Sequence, residues 1–317
     1  MAEIRKYGRL VDVAMPAPPL RRSVATRVRL WLGGAYAPYL YIAPFLLVFA
    51  AFTAYPIAYS FYVSLHHWAG IGAMRPVGLG NYSFVLTDNY WWSAVATTAL
   101  LWLMVLPVGT VISLVLAVAW NRARFRGRTM SRVLFLLPTV SSVVAISIVF
   151  RILYDETYGP VNVILGVLHL PGVPWLTSEE WSKPSIALVR LWESVGLGAL
   201  FFSAALQNIS QEVYDAAAVD GCGPLRQFRF ITLPLLARTT LFLVLTGTLA
   251  ILGMFVEPQL LTGGGPGVSS TTVGLYLYNL VQGLDLGTAS AVSFLVTVMM
   301  LAVAVVAFTV SRRWRID

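Results

Sequence analysis

The sequence predicts an all-α integral membrane protein with six spanning helices, on three observations. Of its 317 residues, 58% are hydrophobic and only 11% are charged, where a soluble domain carries about 25% charged residues. Its mean hydropathy is +0.75. Runs of about 20 apolar residues, the length that crosses a hydrocarbon core, recur at roughly 38–65, 93–120, 132–153, 184–207, 236–260 and 288–311. Lipid offers the backbone no hydrogen-bond partners, so each run is expected to be a helix.

Residues 1–37 are basic and interrupted by "MPAPPLRR", without the apolar core of a cleaved signal peptide. They read as a cytoplasmic tail. Within it, "RRSVATRVRLWL" fits either a short amphipathic helix or a loosely ordered basic stretch near lipid headgroups. The transmembrane domain occupies 38–311, and Pro44, Pro56, Pro107 and Pro138 inside its spans predict kinks. The 154–183 connection contains "GPVNVILGVLHLPGVPWL", which predicts a short helix at the outer surface. Asp155, Glu156, Glu179 and Glu180 in that connection are either solvated or turned to an extracytoplasmic partner. Residues 208–235 separate the fourth and fifth spans, and 312–317 form a short C-terminal tail.

The charges give the orientation. The formal net charge of +8 could indicate nucleic-acid binding, but the basic residues sit in short segments flanking apolar runs, where they set topology. Eighteen of them fall in the N-terminal tail, in "NRARFRGRTMSR", in 208–238 and in "RRWRID"; the opposite loops hold only Arg75 and Lys183. Both termini and the 208–235 loop are therefore expected in the cytoplasm. Cys222 is the only cysteine, which excludes an intrachain disulfide. His66, His67 and His169 lack metal-ligand spacing. Gly263–Gly267 lacks the Gly-Lys-Ser/Thr of a phosphate-cradling loop, since neither Lys6 nor Lys183 follows a glycine.

The cytoplasmic stretch "YDAAAVDGCGPLRQFRFITLP" interrupts this apolar chain with a small helical hairpin. Ser210 is a candidate N-cap, with Glu212 and Asp215 in the first turns. Gly221 and Gly223 stop the helix, Pro224 opens a second one, and Phe228 and Ile231 are expected on one face of it. Such an element, fixed to a span at each end, can pass a push from a soluble partner into the bundle.

This stretch resembles the EAA loop of permease subunits in ATP-binding-cassette importers. Asp215, Ala216, Ala217, Asp220, Gly221, Phe228, Ile231, Leu233 and Pro234 match its spacing. Asp215 stands for the usual Glu and Cys222 for the usual Ala. "APFLLVFAAFTAYPIAYSFYVSL" with "GLGNY", then "GPVNVIL", "LLTGGGPGVSSTTVGLYLYNLVQ" and "LGTASAVSF", resembles carbohydrate-uptake permeases of the maltose and glycerol-phosphate kind, over nearly all of 38–317. The resemblance implies a type I importer permease in a bacterial inner membrane, paired with a second permease. It also implies a solute-binding protein outside and a separate ATPase that binds ATP and Mg, so the chain has no ATPase site and no cofactor of its own. Asp215, Ala216, Ala217, Asp220, Gly221, Phe228 and Pro234 become the ATPase-coupling residues.

Ionisable groups inside spans are costly and therefore mark candidate sites. Arg151 and Arg190 lie near outer helix ends, where they can snorkel. Glu193 has two readings: a structural ion pair with Arg190 three residues earlier, or, with Trp192 and Ser194, a wall of the substrate cavity as the resemblance implies. Where maltose permeases carry polar amides in the fifth span, this chain has Ile251 and Met254. Glu257 and Gln259 either compensate or anchor the outer edge. Two rival classes remain: an ion-gradient-driven secondary transporter, which usually shows internal repeats around midplane charges, and a membrane enzyme, which needs clustered His, Asp or Glu.

Overall fold

The computed structural model describes residues 37–121 and 127–313, and the described chain is helical almost throughout. The first span contains α1 (Ala37–Phe49), a wide π turn (Ala50–Ala54) and α2 (Tyr55–Ser64). Pro56 has no N–H to donate one turn back, and the wide turn lies directly before it. A two-residue ribbon follows, β1 (His66–His67) antiparallel to β2 (Arg75–Pro76). Next come α3 (Gly80–Thr87) and the long α4 (Asn89–Asn121), which runs uninterrupted past Pro107. The expected basic tail and its amphipathic stretch lie outside the described residues, as do Arg122, Arg124 and Arg126.

The expected third span is not one helix. It is α5 (Arg128–Val140) and α6 (Val143–Leu153), bent by 107°. Pro138 interrupts the hydrogen-bond ladder near the end of α5, and Ser141 and Ser142 then adopt extended conformations. The outer connection contains the expected short helix, α7 (Pro160–Val167), with Pro160 at its first position. The fourth span is α8 (Glu179–Gln207), capped by Ser178.

The fifth span also differs from expectation. After α9 (Gln211–Val219) in the connecting loop, α10 (Pro224–Gln227), a π turn (Phe228–Thr232) and α11 (Leu233–Leu235) run on and bend by 59° into α12 (Ala237–Leu252). The span ends at Leu252, eight residues before the expected boundary; α13 (Val256–Leu261) is a separate short helix. α14 (Val273–Gln282) and α15 (Leu286–Arg313) complete the chain. Among the described residues four helices are long and apolar enough to cross a membrane, and up to six spans result when each bent pair counts as one.

The chain divides into two units after Tyr59. In the first, no described side chain from 39 to 59 is buried. The second unit is organised by α4 against α8, its most extensive helix contact. Its largest core joins Leu101 and Val105 of α4, Ile146 of α6, Ile186 and Val189 of α8, and Ile251 of α12. In lipid such contacts are driven by close packing rather than by expulsion of water, so small residues set how near two backbones come. Gly196 of α8 is that position here: an added Cβ would collide with the Phe135 carbonyl of α5.

Candidate functional site

The residues singled out for function fall mainly in two regions, both in the second unit. The first is the hairpin 210–236. Ser210 caps α9 by accepting a hydrogen bond from the Glu212 amide at 3.2 Å. At the other end Gly221 adopts φ +76°, the left-handed conformation that glycine enters at little cost. The Cys222 amide, at 2.8 Å, then satisfies the Ala217 carbonyl. Gly223 leads into Pro224 as expected, but α10 is a single turn. Phe228 and Ile231 therefore belong to the π turn, not to a regular second helix. Two hydrogen bonds close the hairpin: Tyr214 Oη with Thr232 Oγ1 at 2.9 Å, and Gln227 Nε2 to the Tyr214 carbonyl at 3.2 Å.

The predicted coupling residues are mostly on the surface. Asp215, Ala216, Asp220 and Gly221 are exposed, Ala217, Phe228 and Pro234 half-buried. Asp215 Oδ1 accepts from Gln211 Nε2 at 3.1 Å within the helix. α9 contains no buried residue, and Val219 is 89% and Leu225 81% exposed. A Cβ on Gly221 would meet nothing within 4 Å.

The second region is a cavity of about 550 Å³ among α4, α8, α12 and the break between α5 and α6. Glycines admit its walls: Gly109 and Gly198 face Leu191 and Ser113, and a Cβ on Gly247 would stand 2.5 Å from Leu106. Glu193 and Ser194 are on the wall, as is Arg190. Arg190 Nη1 donates to Glu193 Oε2 at 3.2 Å and to Glu257 Oε1 at 3.3 Å. The Arg190–Glu193 pair occurs as one sequence reading had it; of the three residues of the other reading, Glu193 and Ser194 line this cavity. Glu193 is 7% exposed, and its second oxygen, Oε1, is buried without a hydrogen-bond partner.

Two predicted residues stand off this wall. Trp192 packs its ring against Phe150 of α6, with centroids 5.4 Å apart. Glu257, at the start of α13, is buried and reaches the site through Arg190. Ile251 lines the cavity, whereas Met254 lies in the core. Arg151 and Gln259 lie elsewhere, around an outer pocket of about 430 Å³ with Tyr154 and Glu156. Sequence reasoning missed the wall hydroxyls of Thr110, Ser113, Thr139, Ser141 and Thr246. The one signal pointing to them was small residues four apart, Gly109 with Ser113.

The family of binding-protein-dependent transport system inner membrane components matches residues 109–315 of this chain. The chain belongs to this family. The permease is 32% identical to the lactose transport system permease protein of Rhizobium radiobacter, over 86% of this chain and 93% of that one. It is 32% identical to the sulfoquinovosyl glycerol transport system permease protein of Agrobacterium fabrum, over 89% and 92%. It is 31% identical to the trehalose/maltose transport system permease protein of Thermococcus litoralis, over 86% and 93%. A bacterial alginate transporter of the ATP-binding-cassette type, crystallised with an alginate pentasaccharide-bound periplasmic protein, shares its fold. The TM-score is 0.77 at 24% identity, over 92% of the permease and 98% of that chain. The permease is thus an inner-membrane subunit of an ATP-binding-cassette importer, and the secondary-transporter alternative is not favoured.

Proposed function

We propose that the permease is one half of a heterodimeric pore that imports a sugar or sugar-like solute, powered by a separate ATPase docked on the 210–236 hairpin. The observation that carries this reading is the hairpin's surface. It is closed on itself by hydrogen bonds, joined to a span at each end, and presents Val219 and Leu225 outward at 89% and 81% exposure. Apolar side chains held that openly on a rigid element suit a complementary cleft. The ATPase holds the ATP and Mg. Its closure pushes the exposed face of Asp215, Ala216, Asp220 and Gly221, with Ala217, Phe228 and Pro234 joining that face to the hairpin. α12 and α8 then carry the movement to the cavity. The arginine asymmetry supports a cytoplasmic location for this hairpin and for both termini.

The solute class is supported by what the relatives are named for: lactose, trehalose/maltose and sulfoquinovosyl glycerol. Glu193 and Ser194 meet the solute, Trp192 holds α8 against α6, and Glu257 holds Arg190 in place. A solute-binding protein delivers the solute from outside.

The test is a gentle-detergent pull-down of the tagged chain from its host, with partners identified by mass spectrometry. An ATPase, a second permease and a binding protein are expected, and Gly221→Leu is expected to lose the ATPase. A chain that purifies only with itself and transports without ATP sinks the reading.

A further inference from the structure

We infer that Arg128 and Arg132, where the ends of α4, α5 and α8 meet near the hairpin, bind the phosphodiester headgroup of an anionic phospholipid. Neither arginine lines the solute cavity, and the site does not depend on which solute is imported.

The two arginines are one turn apart on α5, so they share a face of it. Both are half-buried rather than free in solvent. Arg132 is held in place: its guanidinium carbon stands 5.5 Å from the centre of the Trp120 ring, and its Nη2 donates to Ser203 Oγ at 3.4 Å. Trp120 is fixed in turn, its Nε1 donating to Ser131 Oγ at 2.8 Å. The Nε groups of both arginines are buried without an acceptor, out of a ligand's reach. Arg128 Nη1 and Nη2 and Arg132 Nη1 are not enclosed in that way, and they too have no acceptor among the described residues. These are the donors a ligand can meet.

No carboxylate answers these charges. Among the described residues the ion pairs are those of Arg190, the first turn of α5 contains no acid, and neither does the 121–127 connection before it. The nearby Asn121 and Gln207 amides are neutral and bonded to Ser203 and to each other. The positive end of the α5 dipole adds to the two charges instead of offsetting them. An arginine cannot shed its proton to escape such a place, as a lysine can, so an anion is needed from elsewhere. Position favours lipid as its source. At about 1.5 Å per residue α4 runs about 50 Å, against a hydrocarbon core of about 30 Å, which puts its ends, Trp120 and Asn121 at one of them, at headgroup level. The other side of α5 presents Met130, Val133, Leu134 and Leu137, each more than half exposed, which suits a helix bordering acyl chains. The phosphate layer is then the nearest dense source of anions, and a phosphodiester oxygen accepts charge-assisted bonds from both guanidiniums.

Native mass spectrometry of the permease, purified with the subunits it copurifies with and stripped of lipid by detergent exchange, counts bound lipids directly. Dioleoyl phosphatidylglycerol and dioleoyl phosphatidylcholine are titrated separately, since they share acyl chains and differ in headgroup charge. The wild-type assembly is expected to bind the anionic lipid at least tenfold more strongly, each arginine near the surface contributing about fivefold. Arg128→Gln removes no hydrogen bond made within the described fold, and is expected to lower the ratio about fivefold without lowering the unfolding midpoint. Adding Arg132→Gln is expected to bring the ratio near one, whereas Arg75→Gln, on the exposed outer ribbon, is expected to leave it unchanged. Equal binding of the two lipids by the wild type, or a ratio unmoved by Arg128→Gln, overturns the inference. So does an equal fall in Arg75→Gln, which would make the attraction diffuse. Displacement of the anionic lipid by millimolar inorganic phosphate overturns it too, because the site would then serve a free anion. Loss of the ATPase from the Arg128→Gln assembly would instead make the pair a protein contact, with the same consequence. If the double variant does not assemble, Arg128→Gln alone decides.

Discussion

The cavity wall and the 210–236 hairpin are held in opposite ways. On the wall, almost every side chain is fixed by something else in the chain. Arg190 lies between two carboxylates, the hydroxyls bond to helix carbonyls, and Gly198 lies against Ser113. On the hairpin the backbone is fixed, by a cap, a left-handed glycine and two cross-bonds, while outward side chains such as Val219 and Leu225 are largely exposed. The difference shows where each region's constraint originates. Substitution on the wall should first cost stability. Substitution on the hairpin face should first cost an interaction with another molecule.

The largest expected effect sharpens the first half of that contrast. Arg190→Ala leaves Glu193 and Glu257 facing each other without a cation, and breaking a buried ion cluster by removing one partner costs about 3–5 kcal/mol. Thermal unfolding in detergent is expected to show a large fall in the midpoint. A combined replacement, Arg190→Met with Glu193→Gln and Glu257→Gln, is expected to recover most of it, because no unpaired charge then remains. If Arg190→Ala unfolds at the wild-type temperature, the cluster does not hold the fold.

Next is backbone packing. Gly196→Ala puts a methyl group into the Phe135 carbonyl, and α5 must move away from α8. Overpacking of this kind costs about 1–3 kcal/mol. Gly166 of α7 has open space around an added Cβ, so Gly166→Ala is expected to be neutral or slightly stabilising. Equal losses for the two variants would refute the close-approach argument.

Gly221 tests the hairpin half. A larger L-residue at φ +76° costs about 1–2 kcal/mol of local strain, less than Arg190→Ala is expected to cost. Asparagine tolerates the left-handed conformation, so Gly221→Asn keeps the turn but adds bulk to the face. ATP-dependent uptake is expected to fall at least tenfold in both Gly221→Leu and Gly221→Asn, with the unfolding midpoint of the Asn variant close to wild type. Full uptake by Gly221→Asn would show that the turn matters and the surface does not.

What the sequence disclosed follows the same division. Spans, caps and the hairpin are written in local patterns: apolar length, Ser210, Gly221, Pro224, each acting on residues within a few positions. The breaks were less legible. Pro138 predicted a kink, but a 107° bend also needs two extended serines after it, and serine alone does not specify that. The end of the fifth span at Leu252 was hidden inside a continuous apolar run. The Arg190–Glu193 pair, three apart on one helix, could be anticipated. The Arg190–Glu257 pair joins residues 67 apart and depends on how α13 packs. The wall hydroxyls were invisible for a related reason, since a Thr or Ser in a span reads the same whether it faces lipid or a cavity.

The smallest effect bears on the contrast most directly. Asp215 occupies the position where the loop pattern usually has Glu, and it is exposed, with one hydrogen bond to Gln211 on its own helix. By the stability criterion this residue should matter little: Asp215→Glu and Asp215→Ala are both expected to shift unfolding by no more than about 0.5 kcal/mol, as for ordinary surface changes. By the interaction criterion they should part. Glutamate extends the carboxylate by one methylene toward whatever docks there, while alanine removes it. Measured by the amount of ATPase retained in a pull-down at increasing salt, Asp215→Ala is expected to release the partner first and Asp215→Glu to hold it at least as well as wild type, because an exposed charge pair weakens as salt screens it. If all three release together, the carboxylate at 215 is not a contact. The docking would then rest on the apolar face at Val219 and Leu225, which salt does not weaken.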